Sequence, residues 1–148
     1  MGQYPEYSSK MNYVWQNVAL TLEKFALKLG IYMGAYSRYK EVKLNSLIGL
    51  GTVELLPSLP TNQYYSFKIN AEFTAGLVAY DGDTEIFYGT ELVDGITTTS
   101  ATSLVSLISS DEEEVPFGEN VTIQETGPIT VGNGSLVLKI WYNVHKIG

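Results

Sequence analysis

Two periods divide this chain. Between residues 14 and 33 apolar side chains recur at helical spacing. Val14, Trp15, Val18, Leu22, Phe25, Ala26, Leu29, Tyr32 and Met33 fall within about 120° of one face at ~100° per residue, while Lys24 and Lys28 fall outside it. The spacing predicts an amphipathic helix ending at Gly30, or at Gly34 if the last turn runs on. A second reading stays open. Val18, Leu20 and Leu22 alternate, and Phe25, Leu27 and Leu29 alternate after a one-residue slip that a bulge would supply. Under either reading the segment has one apolar side that must be buried. The residues before it, MGQYPEYSSKMN, are polar and without period, and read as an extended arm.

From about residue 40 the period becomes two. In YYSFKINAEFTAGLVAY (64–80), Tyr65, Phe67, Ile69, Ala71, Phe73, Ala75 and Leu77 face one way, and Ser66, Lys68, Asn70, Glu72 and Thr74 the other. One face dry and one wet is the antiparallel pattern. The closing stretch GNGSLVLKIWYNVHKIG repeats it, with Leu136, Leu138, Ile140, Tyr142 and Val144 on one face and Val137, Lys139, Trp141, Asn143 and His145 on the other. Such a strand is held at a chain end by pairing in the middle of a sheet. Shorter strands are expected at EVKLN, TVELLP, TEIFYGTEL and ENVTIQET, while TSLVSLIS (102–109) is ambiguous between a strand and a helical turn. Asp81-Gly82, Asp94-Gly95 and Asn133-Gly134 read as hairpin turns, and Pro116-Phe117-Gly118 as a further turn. About eight strands without helical crossovers predict a mainly β fold. The expected body is an antiparallel two-sheet sandwich, jelly-roll-like, over residues 41–148, preceded by the arm and one amphipathic helix in residues 1–40.

Composition narrows the function classes. The 148 residues with 45% hydrophobic content suit one domain with a core of its own. With no cysteine, disulfides and thiolate metal sites are excluded and the compartment is left open. The net charge of −7 is unevenly placed. Residues 1–50 hold six of the nine Lys and Arg but three of the sixteen Asp and Glu, and so carry +3, leaving −10 for the rest. An acidic body speaks against binding nucleic acid, because phosphate contacts rest on Lys and Arg. A basic segment beside it suits docking on an acidic protein surface, such as a neighbouring copy. The most apolar stretch, residues 18–35, is interrupted by Glu23, Lys24 and Lys28 and begins too late for a signal peptide, so a soluble protein is expected, with no membrane partner.

Candidate chemistry is sparse. His145 is the single histidine and lies at the chain end, so a Ser-His-Asp relay has little to be built from. Glu72, Glu85 and Glu91 sit where alternation predicts solvent rather than a paired-carboxylate site. Asp81-Gly82-Asp83 opens like a calcium loop but lacks the spacing and the closing Glu, and DEEE (111–114) reads as a solvated loop. Asn120-Val121-Thr122 and Asn133-Gly134-Ser135 match the glycosylation acceptor pattern without a secretory signal to support it. No catalytic, cofactor or metal residues are therefore assigned, and a non-enzymatic role is expected. The eleven tyrosines carry more weight, since Tyr4, Tyr7, Tyr13, Tyr36 and Tyr39 fall in the arm or around the helix, outside the regular strand faces. Tyrosine buries a large area at small entropic cost and keeps a polar tip. Tyr4, Tyr7, Tyr13, Trp15, Val18, Leu22, Phe25 and Leu29 are the expected interface residues.

A Tyr-rich arm, an amphipathic segment, a cysteine-free antiparallel body with Thr/Ser-rich loops and the closing GSLVLKIWYNV strand together resemble the small virion structural proteins of tailed bacteriophages, of the capsid-decoration and head-fibre type. The part that is like in sequence is roughly residues 128–146. The resemblance implies a β-sandwich or jelly-roll module in the virion, assembled in the host cytoplasm. It also implies a homo-oligomer, with a trimer the preferred state, bound to the capsid or another virion protein through its N-terminal element. The alternative is a carbohydrate-binding jelly roll in which Trp141 stacks on a sugar ring. That site needs further exposed aromatics beside it, and Tyr80 and Tyr88 are the candidates whose direction alternation leaves open.

Overall fold

The computed structural model of the chain describes residues 36–110 and 115–147. The arm, the helix and the interface residues expected between positions 1 and 35, and the DEEE run, lie outside the described residues. Tyr36–Gly148 groups into one compact unit. Its strands are β1 (Arg38–Leu44), β2 (Thr52–Leu56), β3 (Gln63–Ala75), β4 (Thr84–Tyr88), β5 (Glu91–Ile96), β6 (Leu104–Ser109), β7 (Val121–Glu125) and β8 (Gly134–Lys146). They form two antiparallel four-stranded sheets, ordered β1-β8-β3-β6 and β2-β7-β4-β5. The fold is therefore mainly β, with no helix among the described residues.

The pairing follows one rule. β1 pairs with β8, β2 with β7, β3 with β6 and β4 with β5, as in a single long ribbon folded back on itself at the β4–β5 hairpin. The ribbon is then rolled so that β8 also meets β3 and β7 also meets β4. Only β4 and β5 are consecutive in both chain and sheet; every other connection crosses between the sheets. The inward faces share one core. Phe67, Ile69, Phe73, Leu136, Leu138 and Ile140 come from the first sheet, and Leu55, Leu56, Ile86, Ile96, Val121 and Ile123 from the second. Burying such aliphatic and aromatic side chains contributes roughly 1.5–3 kcal/mol each.

The closing strand is interior, flanked by β1 and β3, as alternation predicts, and Leu136, Leu138 and Ile140 are buried. The 102–109 run resolves as a strand over Leu104–Ser109. Four expectations are corrected. The strand expected over 64–80 ends at Ala75, and Leu77 is 98% exposed rather than core. There Asn133 takes over the backbone: its carbonyl accepts the Gly76 N–H, its side-chain Oδ1 accepts the Val78 N–H, and its own N–H bonds Val78 O, so the chain leaves the ladder. Asp94-Gly95 is not a turn but lies inside β5, and the tight turn is Gly89-Thr90, with Gly89 at φ 61. A side chain at Gly89 would also meet Glu119 Cγ at 2.9 Å. Asp81-Gly82 and Asn133 do lie in loops, with Gly134 the first residue of β8, but these loops cross between sheets instead of closing hairpins. Finally, β1 begins at Arg38, so Tyr39 is a strand residue and not part of the N-terminal element.

Candidate functional site: an aromatic and ionic outer face

The register fixes which side chains meet on the outer face of the β1-β8-β3-β6 sheet. Tyr39, Trp141, Lys68 and Ser109 form one rung across the four strands. The next holds Glu41, Lys139, Asn70 and Leu107, and the one after it Lys43, Val137, Glu72 and Val105. Directly opposed side chains on one face lie about 4.5–5.5 Å apart at Cβ, close enough for each rung to act as a unit.

Trp141, the residue singled out by sequence for ring stacking, has a neighbour that sequence did not supply. Tyr39 lies with its ring centroid 5.0 Å from that of Trp141, tilted by 42°, and is half exposed. Partial burial, with the Glu41 carboxylate adding to it, raises the pKa of the Tyr39 hydroxyl, so the ring presents a neutral O–H donor. Tyr80 and Tyr88 are buried and contribute nothing to this face. The Tyr80 hydroxyl donates to Gly134 O at 2.6 Å and accepts the Leu47 N–H, and the Tyr88 hydroxyl accepts the Tyr65 N–H at 2.7 Å.

Beside the aromatic pair lies an ion pair. Lys139 Nζ approaches Glu72 Oε1 at 3.1 Å, and Asn70 Nδ2 donates to the same oxygen at 3.2 Å. The bond to Glu72 raises the Lys139 pKa. Glu72 is thus on the wet face, as alternation predicts, whereas Asn70 on the same face is only 3% exposed. Two rungs toward the other end, His145 Nε2 and Ser66 Oγ are 2.7 Å apart, and the imidazole stacks on Tyr64 with centroids 4.8 Å apart. Phe117 meets the Tyr64 ring edge-on at 5.4 Å. A serine on a histidine is the first half of an acyl-transfer relay. The second half is a carboxylate on the other ring nitrogen, and no carboxylate among the described residues is hydrogen-bonded to this imidazole. As built, the bond ties β3 to β8 along a diagonal of the ladder.

The remaining sequence candidates are turn staples. Asp81 accepts from Thr130 Oγ1 at 2.6 Å and from the Thr130 and Val131 N–H groups, which lowers its pKa. Asp83 Oδ1 accepts the N–H groups of Thr98 and Thr99 at 2.9 and 3.0 Å. The two acidic side chains therefore lace the β3–β4 loop to the β7–β8 and β5–β6 loops. No cluster of three or more metal-ligating side chains occurs among the described residues. Asn120 Nδ2 donates to Glu54 Oε2 at 3.0 Å, and Asn133 is occupied in the turn at Gly76. No helix among the described residues is long and apolar enough to cross a membrane.

The outer face can stack on a flat ring, donate and accept hydrogen bonds through Tyr39, Lys68, Lys139 and Glu41, and cover apolar surface through Trp141, Val137, Leu107 and Val105. No protein-family model matches this chain, and no curated protein matches it.

Proposed function

We propose that this chain is a non-enzymatic structural protein of a virus particle, of the capsid-decoration or head-fibre type, built on a jelly roll. The observation that carries the reading is the strand order, one ribbon of eight strands rolled into two sheets, β1-β8-β3-β6 and β2-β7-β4-β5. We read that order as a jelly roll, a class whose members include viral capsid and lectin domains. The step from fold to role is analogy, and two further observations support it. Among the described residues, Asp81 and Asp83 staple loops together and Glu72 pairs with Lys139. The sequence before β1 carries apolar and aromatic residues at helical spacing, and on this reading it is the attachment and oligomerisation element, with a trimer the preferred state.

The test is light scattering of the purified full-length chain together with co-sedimentation on capsid shells that lack it. A stable oligomer that binds shells, and that loses binding when residues 1–35 are removed while its melting temperature holds, supports the proposal. A monomer, or shell binding that survives the deletion, sinks it.

A second reading is favoured by one specific observation, the Tyr39–Trp141 pair on an exposed sheet face. A lectin-type jelly roll would use it to stack on a sugar while Lys139 and Glu41 bond the hydroxyls. A glycan array separates the two readings. Sugar binding lost in both Trp141→Ala and Tyr39→Ala would replace the structural role with a receptor-binding one.

A further inference from the structure

Among the described residues each of the two sheets has two edge strands, and an open edge offers unpaired N–H and C=O groups that another chain can use. Three of the four edges carry devices against such pairing. β1 holds Arg38, Lys40 and Lys43, and its inward-pointing Lys40 donates from Nζ to Leu55 O at 2.8 Å. β2 is interrupted by a register shift between Glu54 and Leu56 and is followed by Pro57. β5 has Glu91 and Asp94 and a register shift against β4. β6, with the sequence LVSLIS, has no charge, no proline and no bulge.

The backbone groups of β6 that have no partner strand among the described residues can be named. Ser110 N–H donates to Phe67 O at 3.0 Å, which makes that pair a hydrogen-bonded one. Antiparallel ladders alternate, so Ile108, Ser106 and Leu104 direct their backbone groups at β3, and Val105, Leu107 and Ser109 direct theirs at the open edge. Serine hydroxyls fix both ends of the strand: Ser110 Oγ accepts the Phe67 N–H and Ser103 Oγ the Ala75 N–H. The edge is thus anchored at both ends, in unbroken register, with its donors and acceptors aimed outward. On the outer face beside them, Val105 is 67% and Leu107 56% exposed.

We propose that β6 pairs with β6 of a second copy of this chain, antiparallel about a twofold axis at Leu107, joining the two β1-β8-β3-β6 sheets into one continuous sheet. The outward set is symmetric about Leu107. In this register Leu107 meets the partner's Leu107, Val105 meets the partner's Ser109, and every outward N–H finds a C=O. Charge selects a second copy at this edge and no other. A twofold axis sets like against like, so the same contact at β1 would oppose Lys40 and its neighbours, and at β5 Glu91 and Asp94, whereas β6 opposes nothing charged. Apolar Val105 and Leu107 are covered at the same step. The contact is separate from assembly through residues 1–35 and does not rest on the virion reading.

The experiment uses the full-length chain and two variants. Leu107→Lys places two ammonium groups at the axis. Leu107→Pro deletes an N–H that points away from β3, a position where an edge strand tolerates proline. Sedimentation velocity across a concentration series should show a twofold step in mass for the native chain, shifted to about tenfold or higher concentration in both variants with the melting temperature retained. Amide exchange read by NMR supplies a measurement that needs no variant. The Val105, Leu107 and Ser109 amides should gain protection as concentration rises, while those of Ser106 and Ile108 are protected throughout. Association with those three amides still exchanging fast would overturn the proposal. So would protection that does not change with concentration, since the edge would then be filled from within the same chain, or a native chain that shows no twofold step.

Discussion

The two sheets share a core but are built differently. β3 and β8 run for 13 residues each and pair along their whole length, whereas β2, β4 and β7 run for 5. Every Lys and Arg among the described residues, Arg38, Lys40, Lys43, Lys68, Lys139 and Lys146, lies on the longer-stranded sheet. The shorter-stranded sheet has none, and carries Glu54, Glu85, Glu91, Asp94 and Glu125. Yet Leu55, Leu56, Ile86, Val121 and Ile123 of the second sheet are as fully buried as Phe67, Leu138 and Ile140 of the first. One sheet therefore combines a long ladder, ionic rungs and burial, while the other is an acidic layer held mainly by burial. The Tyr39–Trp141 pair and the Lys139–Glu72 ion pair also lie on the sheet with the longer ladder.

The largest break in this comparison is removal of β8. Truncation after Ser135 strips β1 of its partner and opens a long edge on β3. The fragment should aggregate and show no cooperative melting by circular dichroism. Removing only Ile147 and Gly148 loses the exposed bond from Ile147 N–H to Asn62 O, worth on the order of 1 kcal/mol. A soluble, cooperatively folded 1–135 fragment would mean that the long ladder is an appendage and the short sheet the true centre of stability.

Next in size are matched cavities, one per sheet. Ile140 and Ile123 are both fully buried in interior strands, so Ile140→Ala and Ile123→Ala should each cost about 2–5 kcal/mol in denaturant titrations. Similar losses with a single transition in both variants mean that the sheets unfold as one unit. A second transition appearing in Ile123→Ala alone would show the short sheet melting by itself.

The same contrast decides what sequence could reveal. Alternation read the faces of β8, and of β3 as far as Ala75, because thirteen residues give a period of two room to speak, but it carried β3 past its end to Leu77. In the short sheet it found the strands at TVELLP and ENVTIQET but missed finer points, since a bulge puts Leu55 and Leu56 inside together and β5 runs through Asp94-Gly95, a local turn signal. Tertiary context overrode that propensity: Glu85 and Ile86 on β4 pair with Gly95 and Asp94. The candidate face divides the same way. Trp141 was legible from its own strand. Tyr39 was not, because its position beside Trp141 depends on β1 lying against β8, a pairing between the two ends of the ribbon that no local pattern encodes. A sequence signal existed for the strand itself, with Tyr39, Glu41 and Lys43 alternating against Val42 and Leu44. The Ser66–His145 bond was hidden for the same reason as Tyr39.

Two glycines sharpen the comparison with effects of opposite sign. Gly134 opens β8 at φ 136, and a Cβ there would lie 2.6 Å from Thr74 O. Gly134→Ala should therefore destabilise by roughly 1–3 kcal/mol. Gly95 in β5 has ordinary backbone torsion and meets nothing closer than Thr84 O at 4.0 Å. Gly95→Ala should be neutral or stabilise by about 0.4–1 kcal/mol, by restricting the unfolded chain. The check is the shift in thermal midpoint. A loss at Gly95 as large as at Gly134 would mean that the short sheet is as tightly constrained as the long one.

The smallest effect comes from the tyrosines that join the two sheets. Tyr65 of β3 donates its hydroxyl to Pro57 O at 2.6 Å, and its own N–H is bonded by the hydroxyl of Tyr88 in β4. Burial, followed by the neighbouring Tyr142 and Tyr88 hydroxyls, pushes the Tyr65 pKa up to about 12. In the unfolded chain it returns to about 10. A group with a raised folded pKa binds its proton more tightly in the native state. Its contribution is complete below about pH 10 and is lost as pH rises toward 12. Native protein should therefore lose stability steeply over that alkaline range. Tyr65→Phe removes the titrating group and one hydrogen bond, so at pH 7 it should cost about 0.5–1.5 kcal/mol. Its curve of melting temperature against pH should then be flatter than that of the native chain above pH 10. The decisive reading is the gap between the two curves. It should narrow as pH rises, and a gap that stays constant would show that the sheets are joined by packing around Tyr65 and not by its proton.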